Sequence, residues 1–410
     1  MFLLSNAVRD YAWGSRTRLA EFLGRTPSGR PEAELWIGAH EGDPSRLPDG
    51  TSLGEMIADA PQQLLGSRVA DIFGDRLPFL MKVLAVDEPL SLQVHPSSER
   101  ARSGHARENA EGIPVDAPVR SYKDQWHKPE LLFALTRFEG MAGFRDVPGT
   151  VELLRLLSLP WADDLARRLE DGPPHQTLEA ATTEILSLSG RGLARTLRDV
   201  GHAATHAEAR GRRTDLRNRS SGRDRRLVNR EAVRVFALLG GLAAKYPRDP
   251  GVLVALLLNH VVLAPGEAMF VNAGMIHAYT SGFGVEIMAS SDNVLRAGLT
   301  PKHRDVAELL HVTNFTPIPP PRWQSIQRGH GFTHIEPPVS EFSLTVGRPP
   351  LRRLPASGPR LLLVLDGTVE VASERQRLTL VRGDAVFVAH EDGPFDVTGD
   401  GEIAVGSVPA

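Results

Sequence analysis

Two segments far apart in the chain carry nearly the same residue pattern. LAPGEAMFV at residues 263–271 and LVRGDAVFV at residues 380–388 align without gaps, at an offset of 117 residues. Each pattern is typical of a strand, a Gly turn and a second short strand. A unit that occurs twice predicts two copies of a small β-barrel, because a solenoid needs three or more repeats. The second copy also contains LLLVLDGTVEV, which predicts a hairpin with an Asp-Gly turn.

A helical pattern separates the strand-like regions. Residues 78–96 and 126–144 have apolar, strand-like patterns, and residues 97–121 between them are polar and irregular. From about residue 150, VELLRLLSLP and EAVRVFALLGGLAAKY have helical spacing, and VLVALLLNH at residues 252–260 predicts a last buried helix. We predict a mainly β chain in four segments, namely the first part of a barrel (1–145), a helical insert (146–259), the second part of that barrel (260–325) and a C-terminal barrel (326–410).

The composition excludes several kinds of site. The 410-residue chain contains no cysteine, which excludes disulfides, thiolate metal sites and cysteine nucleophiles. Its net charge of −3 gives no general reason to expect binding to nucleic acid or to a membrane. The start, MFLLSNAVRDYAWG, lacks the layout of a secretory signal, and the longest apolar run (252–258) is too short to span a bilayer. We therefore expect a cytoplasmic protein.

One tract inside the helical insert is strongly basic. Residues 210–230 contain nine arginines and two aspartates. A nucleic-acid arm is one interpretation, but the tract lacks the aromatic residues that stack on bases. We favour a solvated loop between helices, with binding of an acidic partner as the alternative.

Several residues could hold a metal through nitrogen and oxygen atoms. Gln93 and His95 alternate with Ser91 along one strand, so the three side chains share a face. Glu130 follows a His-Lys-Pro run, and His277 closes the turn after the first repeat copy. The equivalent position in the second copy is Pro394, so the pattern favours a metal site in the first barrel alone.

Five blocks carry a resemblance to a known family. They read AELWIGAH (33–40), KVLAVDEPLSLQVHPS (82–97), YKDQWHKPELLFAL (122–135), EAMFVNAGMIHAY (267–279) and VEIMASSDNVLRAGLTPKH (285–303). The chain resembles the type I mannose-6-phosphate isomerases. This resemblance implies two cupin (jelly-roll) barrels, the first with one Zn²⁺ per chain, and interconversion of mannose 6-phosphate and fructose 6-phosphate. We expect a monomer, with an oligomer as the alternative.

The resemblance also implies the roles of individual residues. The implied zinc ligands are Gln93, His95, Glu130 and His277. The implied catalytic residues are Arg296, Lys302, Glu286, Lys128, His127 and Asp292. The implied substrate-binding residues are Ser91, Lys82 and Tyr279.

Aldose–ketose isomerisation needs three components. These are an electrophile for the developing enediolate, a base that titrates near neutral pH, and an anchor for the phosphate. Zinc is the expected electrophile. A carboxylate, a histidine or a lysine could be the base; we favour Lys302 or Glu286, and we expect His127, Lys128 and Asp292 to assist ring opening. Arg296 could bind the phosphate or the enediolate, although it could also simply pair with Asp292 four residues earlier.

Two other functions remain open at this stage. Cupins with nitrogen and oxygen ligands also bind iron or manganese and carry out oxygen chemistry, although Gln93 in place of a third histidine favours a redox-silent Lewis acid. A sugar-phosphate sensor would use the same pocket without turnover.

Overall fold

The computed structural model describes residues 1–217, 223–323, 326–327, 332–354 and 357–409. Within these ranges, strands β1 to β20 are Phe2–Leu4, Ala7–Arg9, Glu34–Ile37, Phe79–Val86, Leu92–Val94, Glu130–Ala134, Phe138–Phe144, Leu258–Leu263, Ala268–Val271, His277–Ala289, Leu295–Gly298, Arg322–Trp323, Ile326–Gln327, Phe332–Ile335, Ser343–Gly347, Leu351–Leu354, Arg360–Ala372, Arg377–Val381, Ala385–Val388 and Phe395–Ser407. Helices α1 to α12 are Arg18–Phe22, Leu53–Asp59, Pro61–Leu64, Ser67–Phe73, Ser98–Ala110, Val147–Leu156, Pro160–Glu170, Pro174–Ser187, Gly190–Arg217, Arg223–Lys245, Gly251–Val254 and Val306–Val312. The prediction of a mostly β chain interrupted by helices is confirmed.

Strand β10 connects the two halves of the first group of strands. Its first half pairs with β5 and β7, and its second half pairs with β4 and β6, always antiparallel. The register shifts between Tyr279 and Ser281, where a bulge lets the strand change partners. Around this strand the sheet runs in the order β12-β9-β6-β10-β4-β3-β2, while β8, β7, β5 and β11 join it from the other half.

The two faces of this sheet have different partners. Val83 and Val285 lie opposite each other and face a core that also contains Leu361 and Leu363 of the C-terminal strands. The next residues along each strand, Lys82 and Glu286, face the other way. Alternation along the strands therefore packs one face against the C-terminal unit and directs charged residues onto the opposite, inner face.

The C-terminal strands form a second sheet in the order β1-β19-β17-β20-β15-β14-β13. Its inner side is filled by an apolar cluster that includes Leu362, Val386 and Val405. Strand β1 at the start of the chain pairs with β19 in this sheet, with Phe2 opposite Phe387, which the sequence analysis did not anticipate.

The repeat found in the sequence corresponds to the same local structure in both copies. In the first copy β8 ends at Leu263 and β9 begins at Ala268, and in the second β18 ends at Val381 and β19 begins at Ala385. Gly266 and Gly383 occupy the two turns with φ of +87° and +91°. Glycine is favoured at both positions because other residues rarely adopt a positive φ.

Helices α6 to α11 lie between β7 and β8 and pack against the first group of strands. Their apolar residues share one core with Leu92, Met141 and Leu295 of β5, β7 and β11. The expected helix at residues 252–260 is wrong in its last part, because β8 already begins at Leu258. The side chain of Asn259 donates to the carbonyls of Ala142 (3.2 Å) and Ile318 (2.9 Å), which holds this segment in the sheet. A continuous apolar run has no periodicity that separates strand from helix.

The loop interpretation of the basic tract is also wrong where the structure describes it. Helix α9 extends to Arg217 and α10 begins at Arg223, so residues 210–217 and 223–230 are helical. Residues 218–222 of the tract lie outside the described residues. Arginine is a good helix former, so a dense run of it is compatible with a helix.

Helix α5 occupies part of the segment that the sequence predicted to be irregular. The Ser97 side chain caps it by accepting from the Arg100 amide at 3.2 Å. The helix carries few apolar residues, so its pattern was not visible in the sequence. Its Ala101 is buried, and its Gly104 packs onto the buried Tyr122. Short helices α1 to α4 within residues 18–73 were likewise not predicted. No helix in the described ranges combines the length and apolar character needed to cross a membrane.

The contact between Gly104 and Tyr122 gives a stability prediction. A Cβ at position 104 would lie 2.5 Å from the Tyr122 ring. Alanine favours helix by about 1 kcal/mol over glycine, but overpacking typically costs about 1–3 kcal/mol, so we expect Gly104→Ala to lower the free energy of unfolding. Gly241→Ala is the matched control, because its Cβ would meet nothing within 4 Å, and we expect it to stabilise the protein. Chemical denaturation measures both changes, and a shift in the same direction would contradict the packing explanation.

Candidate metal centre and active site

Three side chains converge on the inner face of the first sheet. His95 follows β5, Glu130 begins β6 and His277 begins β10, and all three are buried. One ligand atom from each lies within 4.8 Å of the others. Glu130 Oε1 is 3.2 Å from His95 Nε2, and its Oε2 is 3.2 Å from His277 Nε2. This group has the composition and spacing of a metal site.

Backbone carbonyls fix which nitrogen each imidazole presents. His95 Nδ1 is 2.7 Å from the Asn293 carbonyl, and His277 Nδ1 is 2.9 Å from the Met275 carbonyl. A carbonyl only accepts, so both Nδ1 atoms carry the proton and both Nε2 lone pairs point toward Glu130. His95 Nε2 is buried with no hydrogen-bond partner among the described residues. Lone pairs directed at a carboxylate are stabilised by a cation between them, so this donor set fits a bound metal.

Electrostatics keep the cluster ready to bind a cation. Burial lowers the pKa of His95 to about 4, so the ring is neutral at physiological pH. Burial acts to raise the pKa of Glu130, but His95, His277 and Lys128 outweigh it and hold that pKa well below its usual value. A neutral imidazole and an ionised carboxylate are the forms that bind metals.

Gln93 lies beside this cluster, as the sequence predicted. It is the cross-strand partner of His277 on one side and of Arg296 on the other, so the three side chains share a face. Gln93 Nε2 is 3.4 Å from His277 Nε2, and Ser91 Oγ donates to Gln93 Oε1 at 3.2 Å. Ser91 therefore contacts the candidate ligand Gln93 and helps to orient its amide.

A second charged group lies farther along the same inner face. Lys82 Nζ is 3.3 Å from Glu286 Oε2 and 3.8 Å from Glu34 Oε2. Burial lowers the pKa of Lys82, but the two carboxylates outweigh it and raise it overall, so this lysine stays charged. For Glu286, burial and the charge of Glu130 raise the pKa to about 6 despite Lys82. Glu286 thus titrates close to neutral pH, as an acid–base catalyst should.

Glu34 in strand β3 and His40 in the loop after it contact predicted site residues, although neither was predicted to belong to the site. Glu34 accepts from Trp36 Nε1, and Trp36 lies opposite Lys82 in the sheet. His40 Nε2 is 3.4 Å from Asp292 Oδ1, and the Gly42 amide donates to His40 Nδ1 at 3.1 Å. The signal for Glu34 was an acidic residue alternating with a tryptophan in an otherwise buried strand.

Asp292 does not form the ion pair with Arg296 that was the simpler alternative. Its described partner is His40, which with Lys128 and Lys123 outweighs burial and holds the pKa of Asp292 well below its usual value. Burial lowers the pKa of Arg296, and no acidic partner of its guanidinium lies within 4.0 Å in the described ranges. Arg296 is therefore available for an anionic ligand.

Three cations act on one another beside this site. Burial, Arg296 and Lys123 all lower the pKa of Lys302, whose side chain is exposed and lies 5.9 Å from the centre of the Tyr11 ring. Positive charges held close together repel one another, and a bound anion would relieve this repulsion. The Tyr279 hydroxyl is buried on the same strand as His277, and no hydrogen-bond partner for it is found in the described part of the chain.

The loop before β6 carries the remaining predicted residues. Lys128 Nζ is 3.6 Å from Glu130 Oε1, and His127 Nε2 is 2.7 Å from Glu341 Oε1. Asn293 holds the loop by donating to the carbonyls of Asp124 and Trp126, both at 2.8 Å. The same Asn293 offers its own carbonyl to His95, so one residue fixes both the loop and a candidate ligand.

The sequence of the chain is similar to those of one family of known proteins. Residues 1–147 match the family model described as phosphomannose isomerase type I, catalytic domain, and residues 358–408 match mannose-6-phosphate isomerase, cupin domain. The chain is 36% identical to mannose-6-phosphate isomerase of Salmonella typhimurium over 98% of both chains, and 33% identical to that of Macaca fascicularis over 95% of this chain and 93% of the relative.

Solved structures show the same similarity over the whole chain. A Salmonella typhimurium mannose-6-phosphate isomerase, bound to its substrate fructose 6-phosphate and a zinc atom, superposes with a TM-score of 0.86 at 35% identity, covering 100% of both chains. A zinc-bound holo structure of mannose 6-phosphate isomerase has a TM-score of 0.85 at 35% identity, covering 100% of this chain and 99% of the other. With a cupin domain, a buried His-Glu-His group and relatives matched from end to end, the chain belongs to the type I mannose-6-phosphate isomerase family.

Proposed function

We propose that the chain interconverts mannose 6-phosphate and fructose 6-phosphate through an enediol, with one Zn²⁺ per chain. The observation that carries the proposal is the buried group of His95, Glu130 and His277 on the inner face that also bears Glu286. The zinc and fructose 6-phosphate bound by the Salmonella relative support the same cofactor and substrate.

His95, Glu130 and His277 would hold the metal, with Gln93 as the fourth ligand. When bound, zinc supplies a Lewis acid that stabilises negative charge on the substrate oxygens. Two imidazoles, one carboxylate and one amide place a single negative charge around it, so its acidity is retained. Iron or manganese oxygen chemistry finds less support, because Gln93 occupies the place of a third histidine.

Glu286 is the proposed base. Its carboxylate takes the proton from C2 of the open-chain aldose, which leaves an enediolate with its charge on O1. The hydroxyl proton on O2 passes to O1, and Glu286 returns a proton, partly exchanged with solvent, to C1 to give the ketose. Lys82, held charged beside it, keeps the carboxylate in its ionised form between turnovers. The pKa of Glu286 near neutrality suits both halves of this transfer.

The cations would supply the anchor for the phosphate, and residues near the loop before β6 would assist the opening of the sugar ring. Arg296 and Lys302, with Lys123 nearby, would bind the phosphate, since Arg296 and Lys123 disfavour the charged form of Lys302 and an anion would relieve that repulsion. His127, Lys128 and Asp292 would assist ring opening, and Tyr279 would donate a hydrogen bond to the sugar. We also propose that the two groups of strands are two cupin barrels, with the helices between β7 and β8 as a separate domain.

Replacing Arg296 tests the anion site. We expect Arg296→Ala to leave zinc bound and to lower kcat/KM by roughly 10²-fold, since a partly buried guanidinium without an acidic partner is replaced by a methyl group. Metal analysis and steady-state kinetics measure the two effects. Arg248→Ala, an exposed arginine in the segment after α10, is the control for loss of a positive charge. Unchanged kinetics in Arg296→Ala would show that Arg296 does not bind substrate.

A coupled assay tests the function itself. Fructose 6-phosphate formed from mannose 6-phosphate is followed with the zinc-loaded protein, after chelation and after zinc is restored. We expect turnover that disappears and returns with the metal. A folded, zinc-loaded protein without turnover would favour the sensor, and stoichiometric iron with oxygen consumption would favour oxygen chemistry.

A further inference from the structure

One hydrogen bond links the candidate site to the C-terminal unit. His127 Nε2 is 2.7 Å from Glu341 Oε1, although the two residues are 214 positions apart. Glu341 precedes Phe342, which is fully buried in the core between the two groups of strands. Ser343, the first residue of β15, follows directly. Glu341 therefore lies in the segment just before β15, next to a residue that is anchored in the core.

The chemistry of this bond fixes the tautomer of the imidazole. Burial acts to raise the pKa of Glu341, but the hydrogen bond and charge of His127 outweigh it and lower that pKa, so the group is ionised at neutral pH. An ionised carboxylate only accepts hydrogen bonds, so His127 Nε2 carries the proton. In the neutral form of the ring, Nδ1 is then the nitrogen with a free lone pair.

Both partners are held in place by further contacts. Ser340 Oγ donates to Glu341 Oε2 at 3.3 Å, which occupies the other carboxylate oxygen. Next to His127, the Trp126 carbonyl accepts from Asn293, and the Arg76 guanidinium lies 3.9 Å from the centre of the Trp126 ring. A side chain whose carboxylate partner and neighbouring backbone are both held loses little entropy when it reaches its reactive orientation.

We infer that Glu341 is a positioning residue that holds His127 in the Nε2–H tautomer for ring opening. In this step Nδ1 takes the proton from the anomeric hydroxyl, the C1–O5 bond breaks with its electron pair moving to O5, and the same proton is delivered to O5. The inference rests on the proposed function, in which His127 assists ring opening. It gives the second, metal-free unit a part in catalysis.

Glu341→Gln tests the inference. If the Gln oxygen keeps the bond from Ser340, the amide NH₂ faces His127 Nε2 and favours the opposite tautomer. We expect kcat to fall by roughly tenfold or more, with KM and zinc content unchanged, because partners that orient a reactive group are typically worth about 10–100-fold. Enzyme-catalysed exchange between the anomers of mannose 6-phosphate, followed by NMR, should slow by a similar factor.

The double variant separates positioning from a merely structural role. If Glu341 acts through His127, then Glu341→Gln combined with His127→Asn has the same kcat as His127→Asn alone. If the two losses multiply, the inference is wrong. Glu336→Gln is the matched control, because Glu336 pairs with His334 at 3.2 Å in the same unit, and we expect it to keep wild-type kinetics.

A measurement on the unmodified chain covers the case in which Glu341→Gln does not fold. NMR of the zinc-loaded protein with ¹⁵N-labelled histidine, with the His127 signal identified from His127→Asn, should show a proton on Nε2. A proton on Nδ1 would overturn the inference. If the wild-type protein has no turnover, the proposed function fails; if His127→Asn is impaired while Glu341→Gln is fully active, the inference alone fails.

Discussion

His277→Ala should lose both its zinc and its activity. The substitution removes one of the three buried candidate ligands. The bond from His277 Nδ1 to the Met275 carbonyl directs the Nε2 atom of this residue at Glu130. We expect less than stoichiometric zinc after dialysis and a fall in kcat/KM of roughly 10³-fold or more, because the charge developing on the substrate is no longer stabilised. Elemental analysis and the coupled assay measure the two losses.

His260→Ala is the matched control for this variant. His260 is equally buried but pairs with Glu139 on the neighbouring strand, away from the three candidate ligands. We expect it to lower stability and to keep one zinc per chain. Zinc retained at full stoichiometry in His277→Ala would instead show that His277 is not a ligand.

Glu286→Gln should keep its zinc and lose its chemistry. An amide of the same shape cannot take the C2 proton, so we expect kcat to fall by roughly 10²–10⁴-fold, the usual contribution of a general base. Mannose 6-phosphate recovered from D₂O should carry no deuterium at C2 when Glu286→Gln is used. Glu139→Gln is the control, because His260 and Arg137 outweigh burial and lower the pKa of Glu139 to about 2, so it is no base at neutral pH.

The pH dependence gives a second test of the same assignment. The base must be ionised, so kcat/KM of the wild-type enzyme should rise with pH up to the pKa of Glu286, about 6, and then level off. Bound zinc would offset the negative charge of Glu130, which is one of the causes that raise the pKa of Glu286. The rise of kcat/KM with pH should therefore be centred at about pH 6 or below. Glu286→Gln should lack this rise. If it keeps both the rise and normal kcat, while Lys302→Met loses deuterium exchange, Lys302 is the base.

Much of the candidate metal site could be predicted because its residues lie in local sequence patterns. Gln93 and His95 are two residues apart on a strand, so they share a face whatever surrounds them. The repeat drew attention to His277 because the equivalent position of the second copy is Pro394, but its assignment as a ligand came from the family resemblance. The strands around these residues alternate or form short apolar runs, which are the signals that sequence reveals best.

The parts that were missed depend on tertiary contacts. Helix α5 is stabilised by the close approach of Gly104 to Tyr122, and the pattern of its own residues is nearly all polar. The pairs His40–Asp292 and His127–Glu341 join residues far apart in the chain, each of which is an ordinary polar residue taken alone. No single-sequence periodicity reports which histidine meets which carboxylate.

The place where the helices enter the sheet bears on how this architecture can change. Phe144 at the end of β7 and Leu258 at the start of β8 are direct cross-strand partners, so everything between them leaves and returns at one point. The entropic cost of closing a chain segment between two fixed ends rises only with the logarithm of the segment's length. The parts of residues 145–257 that do not touch the strands can therefore lengthen or shorten over evolution without moving either strand, whereas the helix faces that share a core with Leu92, Met141 and Leu295 must keep their packing. A module grafted at the same junction would have to cover that apolar surface as well.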